Sequence, residues 1–279
     1  MKWTNNHGVP DAVASAVIND DYTKGDSDIS VTGLIGPPQI AKLFAEHGDE
    51  IEKDVMDQVW TLLGKGVHNI LEGHGEGIEE ERLYATWNGL KISGKSDHLN
   101  PTNSIDDYKV TSVWSVIHGV KEDWESQLNL YRWLWAENGF KVDSLRIVVI
   151  LRDWSKHQAL KADYPDHPIQ CFDIPIWDDN KLHAYLDKQV ADHTAKEPRP
   201  CTNAERWHEG DKWAVRKAAN KKAWRVMDTL KEAQAIAGPE HVIDYREGGY
   251  KRCESYCDVA QFCPQLNFLE FQPPEGDLL

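Results

Sequence analysis

Two hydrophobic periods divide the chain. From Ile51 to Glu72 the apolar residues Val55, Val59, Leu62, Leu63, Val67, Ile70 and Leu71 recur every three or four positions, which predicts a long amphipathic helix. Gly64 and Gly66 interrupt it. Each costs roughly 1 kcal/mol relative to alanine in a helix interior, so their presence predicts close packing or a close backbone approach there. Upstream, Ala12–Ile18 reads as a short apolar turn, and Ile40–His47 predicts a helix behind Pro38, a residue suited to a helix start. Between them GLIGPP (33–38) reads as a loop, and residues 1 to about 80 read as mostly helical.

After residue 82 the period falls to two. Leu83, Ala85 and Trp87 alternate, Asn88-Gly89 predicts a type I′ hairpin turn, and Leu90 and Ile92 resume the alternation up to Asp97. A third strand is expected over Ile105–Ser112, so 82–112 reads as a meander. Asp123–Asn138 returns to helical spacing through Trp124, Leu128, Tyr131, Leu134 and Trp135, with Gly139 as its stop. Ser144–Leu151 and Ile169–Ile176 then read as strands, and Asp178-Asp179 caps a helix from Lys181 to about Thr194. Helices and strands in this order predict an α/β fold with a mixed central β-sheet flanked by helices.

At Glu197 the composition changes. EPRPCTN reads as a linker, Lys212–Met227 as a hairpin turning near Ala219-Asn220, Thr229–Ala237 as a short helix and His241–Arg246 as a strand. From Pro273 onward the sequence reads as a tail. The expected divisions are an N-terminal helical region (1–60), a core (61–196) and a C-terminal module (197–279).

Charge and composition narrow the function. A formal net charge of −15 argues against non-specific coating of nucleic acid. It leaves room for a local basic patch, and Lys212, Arg216, Lys217, Lys221, Lys222 and Arg225 form one, interleaved with Trp213 and Trp224. As a solvated basic face or as a strand-contacting surface, that patch fits either reading. No apolar run reaches the roughly 18 residues of a membrane span, and the N-terminus has no sustained apolar core, so neither a span nor a secretory signal is expected. A cytoplasmic location is the expectation.

The residues that carry chemistry lie in ISGKSDHLNPTNSIDDYK (92–109). Residues two apart on a strand share a face, so Asp107 and Lys109 project together while Tyr108, like Asp106, points the other way. Asp97 closes the preceding apolar run. Two carboxylates and an ammonium converging on one spot can hold a divalent cation and stabilise a charged phosphodiester transition state. The second signal is cysteine. Of five, Cys253, Cys257 and Cys263 are clustered, and with Cys201 they make four thiolates able to enclose an iron–sulfur cluster or a structural zinc. Cys171 alternates with apolar neighbours and is expected in the core.

Taken in order, GKGVH (64–68), GKSDHL (94–99), DYK (107–109) and QLNLY (127–131) resemble the PD-(D/E)XK nuclease superfamily, and within it the RecB-type exonuclease branch. The resemblance covers about residues 60 to 135. It implies a restriction-endonuclease-like core, Mg²⁺ or Mn²⁺ held by His68, Asp97, Asp107 and the Tyr108 carbonyl, and Lys109 as the catalytic lysine. Gln127 and Tyr131, four apart on one helix face, would line the cleft and position DNA or Lys109. Some relatives of this type, among them CRISPR-adaptation exonucleases and the AddB nuclease domain, carry a 4Fe–4S cluster on one distant and three clustered cysteines. This chain departs from them in two respects: its distant Cys201 follows the core, and the first gap of its triplet is three residues where two is usual. No G-x-x-x-x-G-K-[ST] motif is present, so no fused helicase is expected. The implied activity is a metal-dependent DNA exonuclease of phage recombination, replication or end processing, possessing DNA as partner and open to a homo-oligomer or a recombination-protein partner. The alternatives are a nuclease of CRISPR spacer acquisition and a non-catalytic nucleic-acid-binding protein.

Overall fold

Ser144–Leu151 shows how this sequence becomes a sheet: its side chains alternate between the core and a half-buried face, with Leu145, Ile147, Val149 and Leu151 inward. In the computed structural model, which describes residues 1–19, 23–117 and 119–267, this strand is second in a five-stranded sheet. The strands run Ile169–Ile174, Ser144–Leu151, Ser104–Thr111, His98–Leu99 and Ile78–Glu79. Ser104–Thr111 pairs in parallel with Ser144–Leu151, and the other neighbours are antiparallel. The sheet is therefore mixed, as the alternation of elements predicts. The tail expected from Pro273 lies outside the described residues.

Leu90–Lys95 belongs to a separate three-stranded sheet, between Ile29–Ser30 and Arg82–Trp87. Asn88 (φ 47°) and Gly89 (φ 84°) both take the left-handed backbone that a type I′ turn requires. The helix Glu122–Glu137 is buried around most of its circumference, through Trp124, Leu128, Leu130, Trp133, Leu134 and Trp135. Such a helix packs on more than one side; it meets strands of both sheets. Burial of each large apolar side chain contributes about 1.5–3 kcal/mol. Gly94 permits the closest approach: a Cβ there would meet Leu134 Cδ1 at 2.5 Å and the Tyr131 ring at 2.9 Å.

The chain divides into two compact units, Met1–Ala41 with Asp49–Pro198, and Lys42–Gly48 with Arg199–Leu279. The second contains a sheet in which Lys212–Lys217 is flanked by Arg225–Met227 and His241–Arg246, both antiparallel to it.

Several expectations are corrected. The segment Ile51–Glu72 is not one helix. Glu52–Asp54 pairs in parallel with Lys2–Thr4, a 3₁₀ turn covers Val55–Gln58, and the helix proper is Val59–Leu71. Asp54 makes the break, accepting from Thr4 Oγ1 at 2.8 Å, Asn6 N at 2.8 Å and Met56 N at 3.0 Å. The periodicity reads through because the turn continues into the helix. Among the described residues nothing lies within 4 Å of a Cβ built at Gly64 or Gly66, so no packing contact there requires them. Part of GLIGPP is helical, over Val31–Ile35, because Ser30 accepts from Gly33 N and caps it. The meander is split between two sheets, with Asp97 in the bend where the chain crosses over. Cys171 is exposed, not core: alternate side chains of the strand Ile169–Ile174 face solvent, and Cys171 shares that open face with Ile169 and Asp173.

Candidate active site

The strand Ser104–Thr111 divides its acidic residues between two environments. Asp106 lies opposite Arg146 in the parallel register, and the guanidinium grips it with Nε at 2.9 Å and Nη2 at 2.6 Å. Such a two-pronged, charge-assisted pair suits a carboxylate that is 5% exposed. Asp107 faces the other way and is 1% exposed. Its Oδ2 lies 2.6 Å from Lys109 Nζ, close enough for an ion pair, yet among the described residues that oxygen has no hydrogen bond of acceptable geometry. Lys109 also donates to Gln127 Oε1 at 3.0 Å, and Gln127 Nε2 donates to the Tyr131 hydroxyl at 2.9 Å. The one-turn spacing of Gln127 and Tyr131 on the buried helix thus produces a short relay ending at the lysine.

Asp97 occupies the bend between Leu90–Lys95 and His98–Leu99. The partner strand ends there, which leaves the Tyr108 N–H to be satisfied otherwise, and Asp97 Oδ2 accepts it at 2.6 Å. The other oxygen, Oδ1, lies 3.3 Å from His68 Nδ1, on the last turn of Val59–Leu71. Tyr108 turns its ring edge to the His68 ring, with centroids 6.4 Å apart.

One residue of this neighbourhood escapes sequence reasoning. Glu80 lies between Ile78–Glu79 and Arg82–Trp87, with a left-handed backbone (φ 55°) that side-chain-bearing residues seldom adopt. Its N–H donates to the Asp97 carbonyl at 3.2 Å, and its carboxylate pairs with Lys95. Among the described residues, His68, Glu80 and Asp97 are the trio of potential metal donors whose atoms all lie within 4.8 Å of one another. Asp107, expected in that trio, stands outside it, held on the lysine side by Lys109. A small recess is lined by His68, Glu79, Glu80, Asp97 and Tyr108 among others, and neither Asp107 nor Lys109 lines it. The only trace of Glu80 in the sequence is the run Glu79-Glu80-Glu81, which resembles any solvated acidic turn.

Electrostatics bind the two groups together. Burial pushes the Asp107 carboxyl up to about 6; Lys109 opposes this and Asp97 adds to it. The hydrogen bond to Asp97 raises the His68 imidazole, against burial, and the charges of Asp97 and Asp107 raise it further. A buried carboxylate oxygen without a hydrogen bond, beside a His/Glu/Asp trio, is a donor set of hard oxygens and one imidazole. It fits Mg²⁺ or Mn²⁺ and does not fit a soft, thiolate-seeking ion.

The remaining predicted residues lie in the second unit. Burial, first, then Glu205 and the charges of Cys263, Cys257 and Cys253 push the Cys201 thiol up to about 12. Burial also raises Cys257. Cys201 is anchored at its backbone by Gln265, which accepts from its N–H at 2.8 Å and donates to its carbonyl at 3.0 Å. Among the described residues the cysteine sulfurs form no trio within 4.8 Å. Of the basic patch, Lys212 pairs with Asp228, Arg216 with Asp244 at 2.5 Å and Lys217 with Glu240 at 3.8 Å. Lys221, Lys222 and Arg225 make no ion pair among the described residues.

No protein-family model matches the sequence, and no curated relative is detected. Solved structures with similarity to the chain include SSO0001, at 19% identity and a TM-score of 0.46, covering 70% of this chain and 88% of that one. Others are exonucleases. An alkaline exonuclease from Laribacter hongkongensis has 13% identity and a TM-score of 0.36, over 58% of this chain and 83% of its own. A phage related exonuclease from Haemophilus somnus 129PT has 16% identity and a TM-score of 0.28, over 65% and 79%. At these identities and scores the likeness carries no argument about function, which rests on the site.

Proposed function

We propose that the chain is a divalent-metal-dependent DNA nuclease, acting as an exonuclease on linear DNA. The carrying observation is the buried Asp107–Lys109 pair, 2.6 Å apart, beside the donors His68, Glu80 and Asp97. In this reading His68, Asp97, Asp107 and the Tyr108 carbonyl hold the ion, with Glu80 added to them. Bound Mg²⁺ or Mn²⁺ supplies charge neutralisation at the scissile phosphate and a more acidic water. An ammonium has three N–H donors; on Lys109 one goes to Gln127 while the charge is held by the ion pair with Asp107, which leaves a donor to meet the attacking water or a phosphate oxygen. Gln127, braced by Tyr131, fixes where that donor points. Without such bracing a lysine samples many rotamers, and donors fixed in advance stabilise developing charge best.

The four cysteines of the second unit fit this reading as ligands of a 4Fe–4S cluster. A thiol pushed up to about 12 stays protonated at neutral pH unless a cation displaces the proton. Protein purified without oxygen should be brown and contain iron and sulfide; colourless protein with stoichiometric zinc rejects the cluster.

The test of the nuclease is degradation of linear duplex, tailed, single-stranded and circular DNA, with and without Mn²⁺. Nucleotide release from linear DNA only when metal is added supports the proposal. Cleavage of circles as readily as of linear molecules would replace exonuclease by endonuclease, and no cleavage of any substrate rejects the enzyme.

A further inference from the structure

In the second unit, Lys217, Asn220, Lys222, Trp224 and His241 surround an open recess of about 370 Å³ at the hairpin loop between Lys212–Lys217 and Arg225–Met227. The walls are held in place. The Trp224 backbone N–H donates to the Val215 carbonyl at 3.0 Å, and the Asn220 backbone N–H donates to the Lys217 carbonyl at 2.9 Å. Arg216 is tied to Asp244 and donates from Nη1 to the carbonyls of Ala218 and Asn220. Trp224 is nevertheless 51% exposed, an indole face left open beside the His241 ring 5.6 Å away.

Charge and hydrogen bonding select the occupant. Lys212, Arg216 and Lys217 on the central strand are neutralised by Asp228, Asp244 and Glu240, whereas Lys221, Lys222 and Arg225 at the hairpin carry no acidic partner among the described residues. Positive charge is thus concentrated at the recess in a chain of net charge −15. Arg225 lies over the Trp224 ring at 5.9 Å. His241 Nδ1 accepts from the Gly238 N–H at 2.9 Å, so the neutral ring carries its proton on Nε2 as a donor. An exposed indole, a donor beside it and flanking ammonium groups match a planar, acceptor-rich ring attached to phosphates.

We infer that this loop binds an unpaired base of single-stranded DNA, stacked on Trp224, with Lys222 at the adjoining phosphate. The inference rests on DNA being the substrate, and it adds a strand-holding site that belongs to the second unit. A duplex does not satisfy it, since its bases present no free face to the indole.

The test is binding of a fluorescent oligothymidylate of about twelve nucleotides, within the usual span of single-strand sites, to the full chain without added divalent cation. Trp224→Ala should weaken binding about fivefold to a hundredfold, the range for losing one base–aromatic stack. Trp224→Phe should restore most of it. Lys222→Ala should flatten the slope of log K against log salt by about 0.7. A strand of the same length built from abasic sugars should bind weakly and be indifferent to Trp224→Ala. Equal binding by wild type and Trp224→Ala overturns the inference, as does polyaspartate competing as well as oligothymidylate, which would mark an acidic protein segment as the occupant. Cleavage is scored separately. Trp224-dependent binding without any cleavage contradicts the nuclease and leaves this site standing; cleavage with Trp224-independent binding removes this site alone.

Discussion

Asp107 is 1% exposed, and burial pushes its carboxyl up to about 6 from an ordinary 3.8. A carboxyl raised on folding contributes its stability fully below the unfolded value and loses it as the pH climbs through the folded one. At about 1.4 kcal/mol for each pH unit between the two values, the metal-free protein carries a cost of about 3 kcal/mol at neutral pH. Asp107→Asn removes that titration. Lys109 loses an ion-pair partner in the variant, which offsets part of the gain, so the pH dependence is the sharper readout. The advantage of Asp107→Asn over wild type should be greater at pH 7.5 than at pH 5, by on the order of 1 kcal/mol. For a unit of this size that is a shift of about 2–4 °C in melting temperature. The assay is thermal unfolding in chelated buffer at both pH values. An advantage independent of pH, or larger at pH 5, refutes the claim that burial raises this carboxyl. Added Mn²⁺ should reverse the order, because a ligand at 100 times its dissociation constant stabilises by about 2.7 kcal/mol and the variant lacks one carboxylate to hold it.

Other perturbations separate scaffold from site. Glu80→Gln should lower Mn²⁺ affinity at least about tenfold, as loss of even an indirect metal contact does; unchanged affinity by calorimetry removes Glu80 from the ligand set. Arg146→Ala leaves buried Asp106 without its ion-pair partner, though Asn100 and Ser104 still donate to it, and should destabilise by about 1–2 kcal/mol, measured by denaturant unfolding. Gly94→Ala forces a Cβ against Leu134 and Tyr131 and should cost about 1–3 kcal/mol, with a fall in cleavage rate as Tyr131 and Gln127 shift. Gly64→Ala, whose Cβ meets nothing within 4 Å among the described residues, should instead stabilise the helix by up to about 1 kcal/mol; a loss of stability there would show a contact that the described residues do not make.

The sequence makes the periodic elements legible because burial imposes the period. Ser144–Leu151 alternates since one face meets the helix Glu122–Glu137, and Asn88-Gly89 is read directly from its need for left-handed backbone. Strand parity alone separates Asp107 from Asp106, and the register with Arg146 explains why one strand carries two neighbouring aspartates. What periodicity does not encode is pairing between distant segments. The strand Glu52–Asp54 exists because Lys2–Thr4 lies beside it, and nothing within 51–72 announces that partner. Cys171 sits among apolar residues, yet Ile169, Cys171 and Asp173 share a face of their strand that is open to solvent, and which face is covered depends on packing that the local sequence does not announce. Glu80 is invisible for a related reason: it reaches the site through a turn with φ 55°, and proximity to His68 and Asp97 is a product of the chain crossing between sheets.

The most direct trial of the site is single-turnover hydrolysis of end-labelled linear DNA at saturating Mn²⁺ by wild type and Lys109→Ala, the variant's fold being checked by circular dichroism. Lys109 donates to Gln127 and pairs with Asp107, so its loss should leave DNA bound but uncut, with the rate reduced at least about a hundredfold, as for removal of a fixed donor to developing charge. Hydrolysis at the wild-type rate by folded Lys109→Ala would contradict the account.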